Sequence, residues 1–274
     1  MGGSASEGRM RVVAVISVKG GVGKTTSAVN LAYLAARAGK RTLLIDLDPQ
    51  GAASYLLRVG GAEVESPADG KAHTTDIPQL DVLAAPPGWA VSGDGLDASL
   101  PDPFWLRSTI DAVGDWYDEV VLDCPPGTSE LTHGIVAVAD ALLVPVIPNP
   151  LSLRTLDALA DLMVDHEGPV PPMFPFFTLV DRRRKVHRSI VEHLQLNRAE
   201  TMSAPVPYSA DVEKMGVVRS PLARFAPHHP ATQAYEAIWA ELEVRMRDHP
   251  RGESRPASFT RAEAFDTLRP QAAS

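Results

Sequence analysis

The stretch Lys19-Gly20-Gly21-Val22-Gly23-Lys24-Thr25-Thr26 joins two unlike segments. Before it, Arg11 to Val18 is a short run of β-branched and apolar residues. After it, Leu31, Leu34, Ala35 and Ala38 recur at spacings of three and four and Gly39 marks a stop. The order is strand, glycine-rich loop, helix. Glycines let consecutive backbone N–H groups converge on an anion, and the helix N-terminus adds the positive end of its dipole. Lys24 then reaches the β- and γ-phosphates of a nucleotide, and the Thr25 hydroxyl takes a place on Mg2+. The common phosphate-loop pattern has glycine five residues before Gly23, where this chain has Val18. A glycine-rich turn that binds nothing is the alternative, and the lysine, the hydroxyls and the flanking elements together argue against it.

Further along, Thr42 to Asp46 reads as a second buried strand, followed after an irregular stretch at Val59 to Gln79 by strands at Leu80 to Ala84, Glu119 to Leu122, Ala141 to Val146 and Phe174 to Leu179. Helical patterns lie at Trp105 to Val113, Leu131 to Ala139, Leu153 to Val164 and Val186 to Leu194, and Pro230 to Met246 reads as a closing helix. Continuous apolar strands separated by helices predict one doubly wound α/β domain, a mainly parallel sheet with helices on both faces. Its expected extent is 11–247, with a flexible N-terminus over 1–10 and a loosely ordered tail over 248–274.

Composition narrows the function. The chain has 274 residues, 45% hydrophobic and 22% charged, enough to bury a core of its own. Its net charge of −8 means that any contact with nucleic acid needs a local basic patch. A single cysteine, Cys124, rules out an internal disulfide and any cluster that one chain builds from several cysteines. No apolar run approaches the roughly 20 residues of a membrane span, so a cytoplasmic location is expected.

Two more acidic positions fall just beyond strand ends, where a nucleotide site on such a sheet needs them. One is Asp46-Leu47-Asp48-Pro49-Gln50-Gly51; the other is Asp123, followed by Cys124-Pro125-Pro126-Gly127. Either can serve Mg2+ or water, although a strand-end Asp is often only a cap or turn residue. With these motifs, and with Val206-Pro207 and Asp211 further on, the sequence resembles the ParA/MinD family of ATPases with a deviant Walker A motif, over roughly Arg11 to Met246.

The resemblance implies ATP and Mg2+ as cofactors and a homodimer in the ATP-bound state. It implies that Lys19 reaches across to the partner's nucleotide, that Asp48 orients the attacking water, and that Asp123 is the Walker B carboxylate acting on Mg2+ through water. The metal side would then be Thr25, Asp48 and Asp123, the phosphates would lie on Lys19 to Thr26, and the adenine near Thr178 to Asp181 and Pro207, with Asp181 and Pro207 as its contacts. Asp48 to Ser54 and Pro125 to Thr132 are the expected switch segments.

Within that family, the chain lacks the basic amphipathic C-terminal helix of the membrane-riding members, the cysteines of the iron–sulfur members and the tyrosine-rich tail of the bacterial kinases. Asp181 to Arg188 carries five Lys/Arg against one acid, the sharpest basic cluster present. A solvated helix face is its plain reading; the resemblance makes it a contact for non-specific duplex DNA, through Arg182, Arg183, Arg184, Lys185, Arg188 and Arg219, with Arg224 as an addition. The expected protein is therefore nucleoid-associated. It segregates or positions a plasmid, chromosome or protein organelle such as a carboxysome, and a cognate adaptor stimulates hydrolysis and release. The alternatives are a small-molecule enzyme of the same fold, such as a dethiobiotin-synthetase-like ligase, and a noncatalytic nucleotide switch.

Overall fold

The computed structural model describes residues 9–58, 63–64, 72–84, 103–128, 130–166 and 168–248. The expected N-terminal segment up to residue 8, parts of the stretch 59–79, and the expected tail from 249 lie outside them.

Among the described residues, eight strands form one sheet: β1 (Arg11–Val15), β2 (Thr42–Asp46), β3 (Glu63–Val64), β4 (Ala72–Thr74), β5 (Leu80–Ala84), β6 (Glu119–Asp123), β7 (Ala141–Val146) and β8 (Met173–Phe177), in the order β3-β4-β5-β2-β6-β1-β7-β8. From β5 to β8 every pairing is parallel, and β3 and β4 add an antiparallel edge. The central strands are buried along their whole length, as the unbroken apolar runs require of a sheet covered on both faces.

The helices are α1 (Lys24–Arg37), α2 (Ala52–Leu56), α3 (Pro103–Val113), α4 (Glu130–Val138), α5 (Pro150–Val164), α6 (Lys185–Asn197), α7 (Ala210–Val218), α8 (Leu222–Phe225) and α9 (Pro230–Asp248). One apolar core packs α3 to α6 on one face of the sheet. The other packs α1, α2 and α7 to α9 on the opposite face. The expected doubly wound architecture is the one observed.

Boundaries differ where the backbone has other partners. The ladder of β1 ends at Val15 rather than Val18, because the Val18 carbonyl accepts from Gly127 N–H, 3.0 Å away, and the chain has already turned into the loop. Strand β8 stops before Leu179, which sits at a φ of 54°. The stretch 59–79, expected to be irregular, contributes β3 and β4; Ala72 and His73 pair with Leu83 and Val82 on β5. Gly39, at a φ of 87°, follows the last turn of α1, where the left-handed conformation is easiest for glycine.

Candidate nucleotide site

The parallel strands bring their C-terminal ends to one edge of the sheet. Val15, Asp123 and Asp46 are in register there on β1, β6 and β2. Beyond them the chain segments are stitched together: Leu47 N–H donates to the Asp123 carbonyl at 2.9 Å and Ile16 N–H to the Leu143 carbonyl at 3.0 Å. The crevice outside these ends is where open α/β sheets hold ligands.

The loop from Ile16 to Gly23 enters α1 through Gly23, which has a φ of 88° and gives the helix no side-chain cap. A residue with a Cβ would be strained there. The uncapped N-terminus is thus left to an external acceptor, the geometry of an anion site. Lys24, the first residue of α1, is buried, and its ammonium donates to the Lys19 carbonyl at 3.2 Å. Burial lowers its pKa, against the opposing pull of Asp123, Cys124 and Asp48. Lys19 is half-buried, and its side chain makes no hydrogen bond or ion pair with any described residue.

Asp123 has no exposed surface and neither carboxylate oxygen has a partner at hydrogen-bonding geometry. Burial pushes its pKa up to about 8, with the Asp46 and Asp48 charges adding to the shift and the Thr25 hydroxyl and Lys24 opposing it. Asp46 is equally buried. One of its oxygens accepts from the N–H and hydroxyl of Ser54, at 2.9 and 2.8 Å, while the other has no partner. Asp48 is half-buried at the apex of the turn between them, where its Oδ1 accepts from Gln50 N–H at 2.9 Å and its carbonyl from Gly51 N–H. Cys124 is fully buried beside them and its thiol is pushed up, so it is an inert packing residue.

Single unpaired oxygens also occur on Asp46 and Glu119, but Asp123 has neither oxygen paired, which suits a carboxylate that takes a cation. Mg2+ keeps most of its shell for water and phosphate and takes only one or two protein carboxylates, which the pairing of Thr25 with orphaned Asp123 suits. Among the described residues no group of three His, Cys, Asp or Glu is arranged as a closed metal site.

On the other flank, the Thr178 hydroxyl donates to the Val22 carbonyl at 2.8 Å, fastening the end of β8 to the phosphate loop. Val180 and Pro207 form a parallel bridge, so the segments at 178–181 and 206–208 run side by side as one wall. Asp181, expected on the adenine, binds Arg183 through both carboxylate oxygens at 3.0 and 3.1 Å.

The basic cluster opens α6. Arg184 is its N-cap, Lys185 is its first residue and no acid occupies its first turn, so cations and the positive helix end reinforce each other. Arg183 is held by Asp181, and Arg188 donates to the Arg182 carbonyl at 2.7 Å. Arg219 is engaged elsewhere: it caps α7, and its guanidinium lies 4.4 Å from the centre of the Tyr55 ring on α2. Arg224 pairs with Asp76 at 2.8 Å.

Three contacts have no counterpart in the sequence motifs: the Asp46–Ser54 link, the Thr178–Val22 bond and the arginine contacts of α2 with α7. Only the first had a signal, a hydroxyl residue three positions after Gly51 in the segment that follows the Asp46 motif.

Residues 10–166 match the model of a family described as an AAA domain, more than half of the chain. The chromosome-partitioning ATPase Soj of Thermus thermophilus is 30% identical over 88% of this chain and 98% of its own length. The chromosome partitioning protein ParA of Caulobacter vibrioides is 29% identical over 87% and 96%. Among solved structures, the septum site-determining protein MinD of Pyrococcus horikoshii, complexed with Mg-ADP, superposes with a TM-score of 0.68 at 17% identity, covering 85% of this chain and 96% of its own.

Proposed function

Because this chain belongs to the ParA/MinD family of partition ATPases, we propose that it hydrolyses ATP as a homodimer assembled by ATP on non-specific duplex DNA, where it segregates or positions a cargo. A cognate adaptor protein stimulates hydrolysis and so releases the dimer. The observation that carries this reading is the buried, unpartnered Asp123 beside Lys24 and Thr25 at the mouth of an uncapped helix.

Position supports each proposed role. The N–H groups from Gly20 to Thr26 and the Lys24 ammonium hold the β- and γ-phosphates. Thr25 and Asp123 would hold Mg2+, which when bound neutralises charge on the phosphate oxygens. Asp48 orients the water, since it is the carboxylate of the set that is half-open to solvent. Lys19, whose side chain has no partner among the described residues, reaches the nucleotide of the second copy, which makes turnover depend on dimerisation. The wall formed by 178–181 and 206–208 takes the adenine, with Asp181 and Pro207 at its edge. Arg182, Arg184, Lys185 and Arg188 supply phosphate contacts that carry no base information.

No described helix is long and apolar enough to cross a membrane. The test is binding to duplex DNA of arbitrary sequence with ATP, with ADP and without nucleotide, at two salt concentrations, while following dimerisation. ATP-dependent binding that weakens with salt is expected. Hydrolysis without DNA binding in any state would remove the DNA role and favour a small-molecule enzyme on the same fold.

A further inference from the structure

Asp48 sits on a loop that leads into α2, a helix of only five residues. So short a helix has no stability of its own; Ala53 and Leu56 pack one side of it into the core, and contacts at its two ends fix it further. Its first turn is fastened to the sheet by the bonds from Ser54 to Asp46. Its last turn is fastened by two arginines in reciprocal arrangement. Arg58, just past α2, donates from Nε to the Arg219 carbonyl at 3.1 Å and from Nη2 to the Val218 carbonyl at 2.6 Å. Arg219, just past α7, donates from Nε to the Tyr55 carbonyl at 2.8 Å and covers the Tyr55 ring. Each guanidinium thus caps the C-terminal carbonyls of the other helix.

Both arginines are in the left-handed backbone region, at φ of 53° and 52°. These are the positions after a helix at which glycine is at ease and a residue with a Cβ is strained. Strain is retained where the side chain has a task that the backbone preference opposes. Ser209 caps the start of α7, directly after the Pro207 segment that pairs with Val180. The clasp therefore joins the Asp48 loop to the base-side wall.

We propose that Arg58 and Arg219 are positioning residues for hydrolysis, a clasp between α2 and α7 that holds Asp48 in place against the γ-phosphate. The proposal rests on the reading of Asp48 as the water-orienting carboxylate. It also gives Arg219 a task that needs no DNA.

The experiment uses Arg58→Gly, Arg219→Gly and the double variant in the full chain, with Asp48→Ala alongside. ATP turnover is measured without DNA, together with KM and the thermal melting point. Glycine removes the clasp and relieves the strain at once, so a purely structural account and a positioning account separate. Expected are a kcat about 10-fold lower, from displacement of Asp48, a KM within about twofold, and a melting point unchanged or raised. The double variant falls no further than the weaker single, because there is one clasp to break. A kcat within about twofold of the parent, with Asp48→Ala inactive, overturns the clasp and leaves Asp48 standing. A melting point that drops in step with kcat overturns it as well, since the arginines then hold only the fold. Full turnover by Asp48→Ala would instead remove the reading on which the clasp rests.

Discussion

Replacing Asp123 with Asn should abolish ATP hydrolysis and, in the same stroke, make the nucleotide-free protein more stable at alkaline pH. The carboxyl is fully buried, has no partner at hydrogen-bonding geometry and lies in register with Asp46 on the next strand, a separation of about 4.8 Å between strands. Its pKa rises from 3.8 in the unfolded chain to about 8 in the fold. Between those values the folded state holds a proton that the unfolded state has released, so stability is full below the lower value and is lost as pH rises to the upper one. Moving an ionisation over that span is worth at most about 6 kcal/mol; water entry and relaxation around the charge reduce this to about 3 kcal/mol.

Asp46 is shifted in the same direction by burial, and the two carboxyls titrate as a coupled pair. The comparison is therefore between the two proteins at each pH, not within one. Equilibrium unfolding in urea, with a chelator and no nucleotide, should give a difference in favour of Asp123→Asn that widens from about 1 kcal/mol near about pH 5 to about 3 kcal/mol near about pH 9. Parallel pH dependences in the two proteins, or an Asn variant that is the less stable at alkaline pH, would refute the reasoning.

Lys24→Gln should lose measurable nucleotide binding, read with a fluorescent ATP analogue, because among the described residues no other buried cation faces Asp123 and the phosphates together. Neutralising Arg182, Arg184 and Lys185 together should weaken DNA binding and lower the slope of log affinity against log salt by about 2.7, near 0.9 for each phosphate that the variant leaves unneutralised. A slope equal to the parent's would move the DNA surface elsewhere. Glu119→Gln should cost about 2–3 kcal/mol in urea unfolding with kcat unchanged, since it leaves Arg11 and Lys40 short of one counter-ion at the sheet edge away from the nucleotide.

How much of this was legible in the sequence depends on the range over which each feature is built. The central strands are continuous apolar runs, so β2, β5 and β7 were readable to the residue. The phosphate loop is local too, and its glycines, lysine and hydroxyls announce themselves. Helices α2, α7 and α8 did not, because four, five or nine residues span too few turns for an apolar stripe to stand out. The two- and three-residue strands β3 and β4 are equally silent. The basic count of 181–188 was visible, but its partition was not: Asp181 takes Arg183 out of the set. Arg219 joins that cluster only through the resemblance, whereas its partners lie more than 150 residues away in the chain, where no local pattern reaches.

Strand β6 sharpens the argument about function, because it begins and ends in a buried carboxylate. Glu119 and Asp123 are four residues apart, so they project from the same face of the sheet, toward α1. Both are 0% exposed. At the first end, Glu119 receives Arg11 Nε at 2.9 Å and Lys40 at 3.0 Å. The same two cations also bind Glu243 and lie over the Trp239 ring. Two carboxylates face two cations, and the charge closes. At the other end, the buried ammonium of Lys24 faces both Asp123 and Asp48, while Asp46 adds a further negative charge beside Asp123. An arrangement serving stability alone would have matched these charges or replaced them with apolar groups, since an unpaired buried carboxylate destabilises the fold. Burial by itself does not separate a structural carboxylate from a reactive one; the charge balance around it does. On β6 that balance gives Glu119 a place in the fold and supports the proposed role of Asp123 in the chemistry.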